Sequence, residues 1–431
     1  MKSIFHSIIL IALVSMSCKK NDSFIHSDQQ DSRLITDWIN LQLQLIRSTT
    51  GVTHVAFSRH FSYTGVALYE TLASGDSKYR SIATHLNGSP QLPVLNKGNK
   101  VFYPASANAA IAAMLRFFYN KPAGIASIDS LERIYETKFE LAIKSKTDLD
   151  AAIAYGKQMA SAVIEWSKLD GAADAAIAYT PLGEGYWEPT PPALAAANVP
   201  GWKNNRTFFA GSTEGTMPIA PLSFSKEAGS PFYAMAKELY DVSQALTDEQ
   251  KAIANFWDDA PNGKYVTVFG HWFNILRQVL LKEKTKLMDA AEAYLLLGIT
   301  MNDATISCWK AKYNYHQLRP ITYIRKYMGH PEWNSFITTP PHPEYSAAHA
   351  TISSSAAFAL ESVFGKNYSF TDHTYDAIGM SPRTFASFDA AGKEAGIFRV
   401  YGGIHFKLST ETGNVQGKKV GQNVFSLLHT K

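Results

Sequence analysis

Pro341-His342-Pro343-Glu344-Tyr345-Ser346-Ala347-Ala348-His349 leads into an alanine- and serine-rich run that ends at Phe364-Gly365. The prolines hold the approach extended. Ser346 stands where a helix N-cap belongs and Gly365 supplies a stop, so the stretch predicts a helix running to about Phe364. Its start would leave the backbone N–H groups of Ala347, Ala348 and His349 without helical acceptors, an anion-binding arrangement with His349 in the first turn. The competing reading is a capped core helix with an incidental histidine. Helical periodicity continues outward from here. Leu34, Trp38, Leu41 and Leu45 follow i, i+4, i+7, i+11 behind Ser32, and Phe57, Phe61, Leu68 and Leu72 fit a second amphipathic helix. Ser106–Tyr119, Ser127–Lys146 and Asp148–Leu169, closed by Gly171, predict three more. Thr247-Asp248-Glu249-Gln250 reads as a capping box, followed by helices over Gly270–Leu281, from about Lys286 to Tyr313, and after Ser409. Alternating strand patterns are scarce. The fold class expected is all-α, built from helical bundles.

Residues 171–231 break the pattern with prolines at 181, 189, 191, 192, 200, 218, 221 and 231. So long an irregular segment is a linker or a covering loop. Its Tyr186, Trp187, Trp202, Phe208 and Phe209 predict that it packs rather than floats. The expected organisation is an N-terminal helical region, 32–245, carrying this loop, and a C-terminal helical domain, 246–431.

The chain has 431 residues, 46% of them apolar and 18% charged, enough to build a core and too apolar for a disordered chain. A net charge of +4 excludes a strongly basic nucleic-acid binder. Two cysteines, Cys18 and Cys308, exclude a disulfide framework. The apolar stretch Ile4–Met16, then Cys18 and the polar Lys19-Lys20-Asn21-Asp22, reads as an export signal. It resembles a bacterial lipoprotein signal, which implies a signal peptide over 1–17, lipidation of Cys18, a tether over 18–31 and an exported, membrane-anchored protein. The other reading is an ordinary cleaved signal. Loss of Lys2 with the signal would leave a charge of 4 − 1 = +3. Cys308 would then be a lone, buried thiol.

Two further segments carry chemistry. Leu297, Met301, Ala304 and Cys308 form an apolar stripe that Lys312 continues, and Arg319 follows seven residues later, immediately before Pro320. A buried cation calls for an anion. A snorkelling lysine and a surface arginine are the plain alternative. In Phe398-Arg399-Val400-Tyr401-Gly402-Gly403-Ile404-His405, the glycine pair can turn the backbone so that Arg399 and His405 meet; a helix end with a surface arginine is the alternative. Together the three segments assemble three cations, a helix N-terminus and two histidines, a set suited to a tetrahedral oxyanion.

The order Lys-x6-Arg-Pro, a small-residue turn ending in His, then Arg-x5-His resembles the superfamily of vanadium-dependent haloperoxidases and type 2 phosphatidic acid phosphatases. Trp309, the Pro341–Tyr345 entry and the Arg-Val-Tyr-Gly-Gly-Ile-His string resemble its haloperoxidase branch, as do Tyr186–Pro192 and Phe256-Trp257 among bacterial members. The resemblance implies a C-terminal four-helix-bundle core. It implies that Lys312, Arg319, Arg399 and the Ala348 N–H hold the oxygens of vanadate or phosphate. It makes His405 the vanadium ligand, or in a phosphatase the nucleophile, and His349 the acid–base group; Lys312 would also polarise peroxide. Trp309 and His342 would stand behind these. The implied cofactor is vanadate, or none in a phosphatase, and the substrates are hydrogen peroxide and halide, or a phosphate ester. No nucleic-acid partner is expected, membrane contact is expected only through a lipid on Cys18, and oligomerisation is left open. The family usually places Ser-Gly where Ala347-Ala348 stand, so one hydroxyl is missing here; Phe398 also replaces a usual serine. His342, seven before His349, favours bromide or iodide over chloride, or is a packing histidine. Asp303, Asp258 and Asp259 are weighed as residues orienting a cation against plain surface charges. A zinc site from His342 and His349 lacks a third ligand. A non-enzymatic lipoprotein keeping the fold is the remaining alternative.

Overall fold

The computed structural model describes residues 31–75, 78–95, 101–259 and 263–429; the signal segment and Cys18 lie outside them. Thirteen α-helices run through the described residues: α1 (Arg33–Ser48), α2 (Ala56–Ala73), α3 (Tyr103–Phe118), α4 (Pro122–Ala142), α5 (Lys146–Ser167), α6 (Pro231–Gln244), α7 (Asp248–Phe256), α8 (Val268–Glu283), α9 (Leu287–Tyr315), α10 (Pro320–Tyr327), α11 (Ala348–Phe364), α12 (Phe388–Tyr401) and α13 (Lys407–Leu428). One short antiparallel pair, β1 (Phe370–Asp372) and β2 (Arg383–Phe385), joins α11 to α12 with Thr371 opposite Thr384. The all-α expectation holds. No helix among the described residues is long and apolar enough to cross a membrane.

The helices form where the apolar spacing placed them. Leu34, Trp38, Leu41 and Leu45 are buried along α1, although Ser32 gives it no side-chain cap. The Thr247–Gln250 capping box of α7 is complete, with Gln250 N donating to Thr247 Oγ1 and Thr247 N to Gln250 Oε1. α6 and α10 start on Pro231 and Pro320, residues that read as breaks in the sequence. At the first helical position the missing N–H costs nothing and the fixed φ suits the helix.

α9, α11, α12 and α13 pack on one another as the C-terminal bundle, and α2 with α3 and α5 packs against α9 from the other side. One apolar core runs through both groups, from Leu34 to Leu428; a smaller cluster joins Phe232, Leu239, Ile321, Tyr323 and Phe406. The crossing of α13 over the first turns of α11 is very close. A Cβ on Gly417 would stand 1.9 Å from the Thr351 carbonyl oxygen, and one on Gly413 2.8 Å from that of Ala347. Glycine there lets two backbones meet beside the start of α11.

The 171–231 segment is a cover. Trp187, Trp202, Phe208 and Phe209 are buried, while Tyr186 stands 45% exposed. Trp187 N donates to the His316 carbonyl (2.7 Å) and Asn198 N to that of Pro341 (2.7 Å), so the loop is pinned over both flanks of the motif region.

Candidate active site

The turn after α12 is built as its glycines allow. Gly403 has φ +76°, and the N–H groups of Ile404 and His405 both reach back to the Arg399 carbonyl at 3.1 and 3.3 Å. This folds the His405 ring back toward the helix that carries Arg399. His405 is fully buried, with Nδ1 2.8 Å from Glu344 Oε1. A carboxylate only accepts, so the proton sits on Nδ1 and the Nε2 lone pair faces inward. That Nε2 lies 3.0 Å from Arg319 Nη1.

Arg319 caps α10 in extended conformation, as Pro320 requires, and is fully buried. It donates through Nε to the His342 carbonyl (2.9 Å), through Nη1 to that of Ile404 (2.8 Å) and through Nη2 to His342 Nδ1 (2.9 Å). Lys312 continues the buried stripe of α9. Its Nζ donates to the carbonyls of Pro343 (2.8 Å), Glu344 (2.9 Å) and Ser346 (2.6 Å). The surface-arginine and snorkelling alternatives are thus set aside for both. Arg399 is 4% exposed, and its Nε is buried without a hydrogen-bond partner among the described residues.

These cations repel one another in a dry setting. Burial, joined by neighbouring arginines, lowers Lys312 to about 7. Arg319 falls to about 9, from burial and Arg399. Arg399 falls to about 10, from burial. Burial likewise pushes Glu344 up to about 7, with Arg319 and Lys312 pulling against it. Glu344 faces Lys312 and Arg319, while Asp259 and Asp258 act on Arg399.

The start of α11 departs from the sequence reading by one residue. Ala347, not Ser346, is the N-cap, and no side chain caps it. Ala347 N donates to the Ser409 carbonyl at 3.3 Å, so the first-turn groups without a helical acceptor are those of Ala348, His349 and Ala350. Ser346 Oγ instead donates to Gln416 Oε1 (2.5 Å), and Gln416 passes to Ser307 (2.8 Å), tying the turn to α9 and α13. Cys308, buried as expected, lies 3.5 Å from the Ser346 carbonyl.

His349 lies 3.1 Å through Nε2 from Asp259 Oδ2, with the distance but not the angle of a hydrogen bond; its Nδ1 has no partner among the described residues. Burial, then Arg399, lowers its pKa to about 4. Burial pushes Asp259 up, yet the facing His349 and His54 outweigh it and hold the carboxyl well below its usual range. Phe398, standing where the resembled family usually has serine, sets its ring edge against His349 at 5.2 Å.

A cavity of about 900 Å³ opens on this cluster, lined by Arg399, His349, Ala348, Asp259, His342 and Trp309 among others. Lys312, Arg319 and His405 lie behind that wall. Trp309 leans on His342 at 5.1 Å between ring centres, and its Nε1 reaches the Asn198 carbonyl (3.4 Å) of the covering loop. His342 is therefore both a packing residue and an acceptor for Arg319.

Of the three aspartates, Asp259 faces His349 and Asp258 lines the cavity. Asp303 neither orients a cation nor sits at the surface. It is fully buried and accepts from Phe208 N (3.0 Å) and Ser212 Oγ (2.6 Å), anchoring the covering loop to α9. Burial raises it to about 6. Sequence reasoning missed Glu344 and Asp259 as partners of the two histidines. Glu344 lay inside the quoted motif, and a carboxylate between two prolines and a buried-looking tyrosine was the available signal.

The comparisons with known proteins agree with this geometry. Residues 292–431 match the family model described as the VCPO second helical-bundle domain. A solved structure described as the first bacterial vanadium-dependent iodoperoxidase is 32% identical, with 93% of this chain and 97% of that chain covered and a TM-score of 0.85. Holo- and apo-type bacterial vanadium-dependent chloroperoxidases share the fold at 15% and 14% identity, with TM-scores of 0.69 and 0.67, covering 89% and 94% of this chain and 93% and 98% of theirs. No curated protein sequence matches. The chain belongs to the vanadium haloperoxidase family.

Proposed function

We propose that this chain is a vanadate-dependent haloperoxidase that oxidises iodide or bromide with hydrogen peroxide. The observation that carries the reading is that Arg399 and His349 line one cavity, with Lys312, Arg319 and His405 buried together beside them. The donor set fits vanadate: the orphaned Arg399 Nε, the first-turn N–H groups of α11, and the His405 Nε2 lone pair, which accepts from Arg319 Nη1 at 3.0 Å and would be released from it. His405 would ligate through Nε2. Arg319, Arg399, Lys312 and Ala348 N–H would hold the oxygens, Lys312 by exchanging one of its three carbonyl partners. Bound vanadate supplies a Lewis acid that activates peroxide toward halide.

The protein's part is proton handling and charge. Glu344 keeps the His405 proton on Nδ1. His349, which lines the cavity, would exchange protons with the reacting oxygens. Lys312 and the arginines neutralise charge where water is excluded. The 32%-identical relative is an iodoperoxidase, and this together with His342 favours the softer halides. The test is purified 19–431 with added vanadate, assayed for peroxide-dependent iodide and bromide oxidation beside hydrolysis of a phosphate monoester. Halide oxidation that needs vanadate supports the reading. Vanadate-inhibited hydrolysis without halide oxidation would replace it with a phosphohistidine route at His405.

Binding should also take up a proton. Lys312 stands at about 7 in the anion-free protein, and a bound oxyanion favours its charged form. Calorimetry of vanadate binding at pH 8, in two buffers of different ionisation enthalpy, is expected to show proton uptake that is lost in Lys312→Met. For localisation we propose anchoring through Cys18. Cys18→Ala is expected to move the protein from the membrane to the soluble fraction, and unchanged fractionation contradicts the anchor.

A further inference from the structure

Peroxide and a halide together fill the space of a few water molecules, on the order of 100 Å³. The cavity holds about 900 Å³, the size of a pocket for an organic molecule. Its wall is aromatic: Phe57, Phe269 and Trp309, all buried, line it together with the half-buried Tyr265. Its charged lining is Arg399, Asp258, Asp259 and Arg47. Three of these are engaged at the oxyanion end. Asp259 faces His349 and accepts from Val268 N at 3.2 Å, and Asp258 acts on Arg399. Arg47 is different. It stands in the last turn of α1, half-buried, and its Nε is buried without a hydrogen-bond partner among the described residues. A cation there suits the helix C-terminus, but that does not repay a dry N–H, which costs free energy until an acceptor meets it. Arg399 answers to Asp259 and Asp258, whereas Arg47 acts on Tyr375, so the two arginines hold different parts of the wall. Nothing in the sequence motifs pointed to Arg47.

We propose that Arg47 binds the carboxylate of an electron-rich aromatic acid, whose ring lies among Phe57, Phe269, Trp309 and Tyr265 and is halogenated inside the cavity. The guanidinium fork matches a carboxylate, and aromatic walls receive a flat ring. The binding site stands on this cavity alone; the halogenation step rests on the proposed peroxidase reading, which supplies hypohalous acid. That step balances as ArH + HOX giving ArX + H2O. The O–X bond breaks and a C–X bond forms with ring electrons. The proton on the attacked carbon leaves and joins the hydroxide as water. Holding the acceptor beside the oxyanion end shortens the path of a reactive oxidant and makes the acid the preferred acceptor over molecules in solution.

The test uses the full chain, with 4-hydroxybenzoate as the probe and 4-hydroxybenzyl alcohol as its neutral counterpart. Calorimetry is expected to show saturable binding of the acid, about 10-fold tighter than the alcohol, in vanadate-free and vanadate-saturated protein alike. Arg47→Met is expected to abolish that preference, and Arg47→Lys, which keeps the charge, to retain part of it. Vanadate affinity is expected to stay within about twofold in both variants. In turnover, the KM for iodination of the acid is expected to rise about 10-fold in Arg47→Met, with kcat for triiodide formation from iodide alone unchanged. Equal binding of acid and alcohol by the wild type overturns the proposal, as does an Arg47→Met protein that binds the acid as the wild type does. Displacement of the acid by vanadate overturns it too, because the carboxylate would then sit in the oxyanion cradle. A wild type that binds the acid through Arg47 yet oxidises no halide would strike the proposed function and leave the carboxylate site standing.

Discussion

His405→Ala is expected to lower vanadate-supported iodide oxidation by about 10³-fold or more while the protein still folds. The ring nitrogen that faces Arg319 is the one whose proton Glu344 keeps on the far side of the ring, so alanine removes the inward lone pair altogether. Losing a single transition-state donor costs about 10²–10³ in comparable sites, and here the anchoring atom itself is lost. The folding cost is smaller. A buried ring is replaced by a void and Glu344 Oε1 keeps only Phe406 N (3.0 Å), which together amount to roughly 2–4 kcal/mol. Thermal unfolding and vanadate calorimetry separate the two effects. A variant with more than a tenth of wild-type activity would mean that the anion is held elsewhere.

Glu344→Ala is the larger structural change. Glu344 is fully buried, and its charge faces Arg319 and Lys312. Removing one partner from a buried charge set leaves the others uncompensated, at a cost of about 3–5 kcal/mol. The expected result is a large fall in Tm or failure to fold. Glu344→Gln keeps the volume and isolates the chemistry. An amide can donate as well as accept, so the His405 proton is no longer fixed on Nδ1. Vanadate affinity is then expected to fall about 10–100-fold with a modest loss of stability. Unchanged affinity in Glu344→Gln would show that the carboxylate only fills space.

The sequence made the five basic residues legible because each stands beside a residue that constrains backbone: Pro320 after Arg319, Gly402-Gly403 before His405, and the prolines before His349. Lys312 was legible because it interrupts an apolar stripe. The partners were not. Glu344 meets His405 across 61 residues, and Asp259 meets His349 across 90. Such pairings are set by how α9, α11 and α13 cross, which no local pattern records. Asp303 misled for the same reason: its place on the long helix suggested the site, but packing turned it toward Phe208 and Ser212 of the covering loop. α6 and α10 were hidden by prolines, which in isolation do not reveal whether they end a helix or begin one.

A crystal structure of the wild-type chain soaked in vanadate would address the site itself. We expect vanadate density bonded to His405 Nε2, its oxygens within reach of Arg319, Arg399 and the start of α11, and Lys312 released from one of its three carbonyls. Vanadate seated away from His405, or a site that stays empty at saturating vanadate with Lys312 still bound to Pro343, Glu344 and Ser346, would contradict the account.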